Sequence, residues 1–321
     1  MSKQGTSNPA AFKIVTIGAS VGGVEALSKV ISNLPSDLNA SVLMVMHTAP
    51  EGPGLLPQIL GRTTRLRVQH AAAGQKIAPG NVYVAPPDHH LLVEPDGLNL
   101  SHGPKVNRSR PSVDLLFQSA AETYGARVIG IVLTGSLSDG AAGLELIKKR
   151  GGTTVVQDPD DAFCAEMPLS ALRKTKVDYT VPVGQISGLL LRLTARALVE
   201  PRQDSRKRPF PPSKSEMVCG LACPECGGPL KEFGRRKNAQ FRCRIGHAFS
   251  TKSLLEAHGD GLERSLWTAV QFLAERAELL RRVASRLPAQ ASHSKQGFGA
   301  KAMARKCEEH AEALRHLFEK K

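Results

Sequence analysis

The chain has 321 residues, 41% of them hydrophobic and 4% aromatic, with a formal net charge of +14. That length predicts one large domain joined to a smaller unit. No stretch approaches the roughly 20 apolar residues of a membrane span, and the polar N-terminus lacks the apolar run of a secretory signal. The expectation is therefore a cytoplasmic protein without membrane insertion, whose thiols stay reduced and whose clustered cysteines read as metal ligands. Charge is uneven, at +3 over residues 1–200, +7 over 201–250 and +4 over the remainder. A basic middle attracts acidic partners. With no interleaved aromatics, nucleic acid is disfavoured; docking on an acidic protein surface through Arg206, Lys207, Arg208, Arg235 and Arg236 is expected instead.

Short β-branched runs at 13–17, 41–46, 127–133 and 153–156 predict strands. Helical patterns at 24–34 and 140–150 lie between them, and a hairpin turns at Asp96-Gly97. Buried strands alternating with helices predict an α/β fold, a doubly wound, mostly parallel sheet with helices on both faces. Residues 199–218, rich in Pro, Arg, Lys and Ser, read as a linker. A small cysteine unit over 219–252 and a C-terminal helical hairpin over 253–321 complete the expected organisation. The hairpin rests on two stripes, Leu262, Leu266, Leu273, Leu280 and Val283, then Met303, Cys307, His310, Leu314 and Leu317.

Gly18-Ala19-Ser20-Val21-Gly22 fits G-x-S-x-G between a strand and a helix. Such a turn exposes the serine at the strand end, beside free N–H groups of the helix start that suit an oxyanion. The same pattern also suits a glycine-rich phosphate turn. His47 follows the second strand and Asp139 follows the third. Alone, His47 reads as a packing or surface residue and Asp139 as a helix cap. Together, three such residues at the C-terminal edge of one parallel sheet form a candidate nucleophile, base and orienting acid.

Residues 14–23 (IVTIGASVGG), 45–50 (VMHTAP), 111–117 (PSVDLLF) and 131–143 (IVLTGSLSDGAAG) resemble the chemotaxis protein-glutamate methylesterase family, CheB, within a match spanning about 12–195. The resemblance implies a catalytic domain over 12–198, with Ser20, His47 and Asp139 as the triad and no cofactor for catalysis. It implies hydrolysis of glutamyl γ-methyl esters on methyl-accepting chemoreceptor cytoplasmic helices, with glutamine deamidation as a second activity and other chemosensory proteins as further partners. The alternative is an inactive methylesterase-like scaffold that binds a signalling partner. Ser136-Leu137 replaces the family's Gly-Met, which bears on substrate fit. Only residues 1–12 precede the first strand, so a stand-alone form without a receiver domain is expected.

Cys223, Cys226, Cys243 and His247 form C-x2-C followed by C-x3-H. This spacing predicts a closed tetrahedral structural Zn²⁺ site in a zinc-ribbon-like unit, with Cys219 as a substitute ligand. Cys164 and Cys307 read as buried structural thiols. His89 and His90, flanking the hairpin, read as surface residues.

Overall fold

A computed structural model describes residues 12–195, 217–234, 239–286 and 295–319. Its first compact unit, residues 1–254, is built on a seven-stranded sheet. The strands are β1 (Lys13–Ala19), β2 (Ala40–Met46), β3 (Arg67–His70), β4 (Asn81–Val84), β7 (Val128–Val132), β8 (Thr153–Gln157) and β9 (Tyr179–Val181). They run in the order β3-β4-β2-β1-β7-β8-β9, and every pairing is parallel. β5 (His90–Glu94) and β6 (Gly97–Ser101) form the separate hairpin around Pro95-Asp96.

Both faces of the sheet are covered. Helix α1 (Gly23–Ser32) presents Ala26, Leu27, Val30 and Ile31 to one face, joined by α2 (Leu56–Gly61) and α6 (Val183–Ala195). The other face takes α3 (Val113–Tyr124), α4 (Ala141–Lys149) and α5 (Glu166–Lys174). Central strands therefore bury consecutive residues; Ile14, Val15 and Ile17 are all fully shielded. Each such side chain contributes roughly 1.5–3 kcal/mol on burial.

The same unit carries a four-stranded antiparallel ribbon, β10 (Met217–Ala222), β11 (Pro229–Phe233), β12 (Gln240–Cys243) and β13 (Ala248–Ser250). β10 opens inside the segment read as linker; residues 196–216, with Arg206, Lys207 and Arg208, and residues 235–238, with Arg235 and Arg236, lie outside the described residues. Residues 105–107 run parallel to β13, with Asn107 N donating to Ala248 O at 2.8 Å.

The second unit spans residues 255–321, and its described part consists of two helices. It contains most of α7 (Thr251–Ser285) and all of α8 (Lys295–Glu319). Its packed face keeps Leu273, Leu280 and Cys307 of the stripes read in the sequence and adds Ala277 and Ala304, whereas Leu262, Val283, Met303 and Leu317 of those stripes are exposed. Small alanines let the helix axes approach, so the seam follows them rather than the larger side chains.

Candidate active site

β2, β1 and β7 are neighbours in the sheet, and each delivers one candidate residue beyond its C-terminal end. The β1–β2 register runs to Ala19↔Met46, so Ser20 and His47 follow side by side, with His47 N donating to Ala19 O at 3.2 Å. Ser20 N donates to Thr134 O at 3.0 Å, tying the β1 end to the β7 end. The turn after Ser20 needs Gly22, whose φ of 76° lies in the left-handed region. Gly135 admits the serine: a Cβ there would stand 2.7 Å from Ser20 Cβ.

Asp139 is 1% exposed and heavily bonded. Its Oδ2 accepts from His47 Nε2 at 2.9 Å and Val113 N at 2.7 Å. Its Oδ1 accepts from Ser112 Oγ at 3.0 Å, Asp114 N at 3.1 Å, Gly140 N at 3.1 Å and Asn107 Nδ2 at 3.2 Å. Burial pushes this carboxyl upward, but the His47 bond and charge and the Val113 and Asp114 N–H groups outweigh it and hold it below its ordinary value. A carboxylate so fixed orients the imidazole through Nε2 and leaves Nδ1 as the ring nitrogen for proton transfer. No hydrogen bond joins Ser20 to His47 among the described residues; such bonds commonly tighten only once substrate is bound.

Behind this pair lie groups without local sequence signals. Asp114 accepts from Gly143 N at 2.7 Å and Asn107 Nδ2 at 2.9 Å. Burial, then the neighbouring Asp139 charge, pushes its carboxyl up to about 7. His90, read as a surface residue, is 1% exposed. Its Nδ1 accepts from Ser112 N at 3.1 Å, so Nε2 carries the proton given to Pro104 O at 3.1 Å. Burial lowers the pKa of His90 and favours this neutral form. Only its proximity to the PSVD stretch in the folded chain reveals the role.

Leu137 adopts φ 68°, and its N–H is taken by Glu166 Oε2 at 2.7 Å. It is therefore no free oxyanion donor, and Gly23 N at the start of α1 is taken by Ser20 O at 2.8 Å; the Val21 and Gly22 N–H groups, just ahead of the helix, are the candidates. Cys164 is half-buried with Sγ 3.6 Å from Ser136 Oγ, and Cys307 is buried in the helical unit.

In the ribbon, the ligand atoms of Cys223, Cys226, Cys243 and His247 all lie within 4.8 Å of one another. Cys226 and Cys243 Sγ are 3.7 Å apart, and His247 Nδ1 stands 3.5 Å from Cys243 Sγ and 3.7 Å from Cys223 Sγ. A tetrahedron with zinc–sulfur bonds near 2.3 Å and zinc–nitrogen bonds near 2.0 Å has edges of about 3.5–3.8 Å, so the donor set fits that ion. Cys219 is not a member; its Sγ contacts Leu230 O at 3.3 Å.

Residues 15–190 match the family model described as CheB methylesterase. A Leptospira interrogans protein named "Putative protein-glutamate methylesterase/protein-glutamine glutaminase" is 41% identical over 57% of this chain and 95% of its own length. Protein-glutamate methylesterase/protein-glutamine glutaminase 2 of Methanosarcina acetivorans is 38% identical over 56% of this chain, which spans 53% of that longer protein. The crystal structure of the Thermotoga maritima CheB methylesterase catalytic domain aligns with TM-score 0.56 and 35% identity, over 57% of this chain and 99% of that one. With the family model covering more than half of its residues, the chain belongs to the CheB methylesterase family.

Proposed function

We propose that the chain hydrolyses glutamyl γ-methyl esters on chemoreceptor cytoplasmic helices, with glutamine deamidation as a second reaction of the same site, and that Ser20, His47 and Asp139 do the chemistry. The observation that carries the assignment is the pair of half-buried His47 and buried Asp139 at 2.9 Å, set at the sheet edge where Ser20 follows the end of the adjoining strand. His47 Nδ1 takes the Ser20 proton as Oγ attacks the ester carbonyl, and the oxyanion faces the Val21 and Gly22 N–H groups ahead of α1. The imidazolium returns its proton to the leaving methanol. Water then attacks the acyl-serine by the same route and releases glutamate. Asp139 keeps the imidazole oriented and steadies its charge.

The division of labour follows: residues 12–198 catalyse, 199–218 link, 219–252 form a ribbon held by Zn²⁺ on Cys223, Cys226, Cys243 and His247, and 253–321 form a helical hairpin. Four protein ligands leave the metal no open position, so its chemistry is structural. Among the described residues no helix is long and apolar enough to cross a membrane.

Methanol release from methylated receptor fragments tests the reading. Wild type should turn over, and Ser20→Ala should lose about 10⁴-fold or more in kcat. An unchanged rate in Ser20→Ala would sink the nucleophile assignment. A wild type without turnover would leave a binding scaffold.

A further inference from the structure

Asn107 stands between the Asp139 carboxylate and the ribbon, with both ends of its side chain engaged. It is 6% exposed and sits at φ 49°, a left-handed conformation that asparagine tolerates better than most residues. Nδ2 donates to Asp139 Oδ1 at 3.2 Å and Asp114 Oδ2 at 2.9 Å. Oδ1 accepts from Ser250 N at 3.0 Å and lies 3.2 Å from Ser253 Oγ. A backbone N–H can only donate, so the atom facing Ser250 must be the amide oxygen, and the nitrogen is thereby turned toward the carboxylates.

The ribbon residues making these contacts adjoin the metal cluster. His247 is followed directly by Ala248, whose carbonyl takes the Asn107 N–H at 2.8 Å, and Ser250 is two residues further on. Ser250 Oγ also meets Ser138 Oγ at 2.8 Å, next to Asp139 in the chain. Ser253 is fully buried, and Lys252 pairs with Glu166, the acceptor of the Leu137 N–H. Thus β13 and the first turn of α7 brace the loops that hold Asp139.

We propose that Asn107 is a positioning residue for Asp139, and that the metal-binding ribbon sets its orientation through Ser250 and Ser253. This rests on the hydrolase reading above. With metal bound, the 243–250 hairpin is ordered and presents the Ser250 N–H to Asn107. Without it, Asn107 loses its anchor, and Asp139 loses the precise aim that orients His47.

The coupling must be reciprocal, which supplies a test independent of turnover. In the full chain, chelator competition should give zinc affinities lowered about fivefold or more by Asn107→Ala and by the milder Ser253→Ala; unaltered affinity in both overturns the link. In methanol release, chelation of wild type should lower kcat about tenfold with little change in KM, and chelation of Asn107→Ala should add nothing further. Independent, multiplying losses would contradict the proposal. If wild type releases no methanol, the hydrolase reading fails, while zinc affinity still decides whether Asn107 and the ribbon are joined.

Discussion

In the parallel sheet, Ile17, Met44 and Ile131 sit fully shielded on adjacent strands, with helices over both faces. In the ribbon, the buried apolar side chains among the described residues, apart from its cysteines, are Leu230, Phe241 and Phe249. The first region can fold on hydrophobic burial. The second has too little core for that and gathers three thiols and an imidazole, a donor set on which metal binding would supply the folding free energy. On the reading proposed above, the chain uses two separate sources of stability, and its candidate catalytic acid lies where they meet.

Metal removal is the strongest way to break this comparison. Structural zinc binding is worth on the order of 10 kcal/mol in comparable small units. Chelation, or Cys243→Ser, should abolish amide-exchange protection in β11 and β12 while β1, β2 and β7 keep theirs. Equal loss in both regions would show that the sheet leans on the ribbon for its fold.

A second test concerns the buried acid pair. Asp114 has its folded-state pKa raised from an ordinary 3.8 to about 7. A raised value means that the folded protein binds the proton more tightly than the unfolded chain. Its contribution is therefore full below 3.8 and is lost as pH rises through about 7. Asp114→Asn should remove that decline, by a few kcal/mol at most. Asp139, with a lowered value, acts in the opposite sense at more acid pH and stays out of this window. Urea midpoints between pH 4 and 8 would reveal the difference; parallel curves for the two proteins would refute it.

The smallest expected effect is steric. A Cβ at Gly135 meets Ser20 Cβ at 2.7 Å, so Gly135→Ala should cost about 1–3 kcal/mol and lower kcat by shifting the nucleophile. A variant with normal melting and normal turnover would mean the turn relaxes freely.

Much of the architecture was readable from residues. The runs around Val15, Val42, Ile129 and Val155 are central strands because their β-branched residues suit burial on both faces. β3, β4 and β9 escaped notice: each is short, and edge or near-edge strands such as Arg67–His70 and Tyr179–Val181 carry polar residues that blur the pattern. Ser20, His47 and Asp139 lay beside strand ends that the sequence marks, and the four candidate metal ligands lay at telling spacings. Asn107, Ser112, Asp114 and His90 did not, because their partners come from distant loops and leave no period in the chain. In the helical unit, large exposed side chains drew attention away from Ala277 and Ala304, whose small size makes the seam.

The measurement that tests the account most directly is covalent labelling with a fluorophosphonate, followed by peptide mapping of the adduct. The account predicts a single adduct on Ser20, slowed strongly in His47→Ala and absent in Ser20→Ala. A principal adduct on Ser136, Ser138 or Cys164, or labelling of Ser20 indifferent to His47, would contradict it.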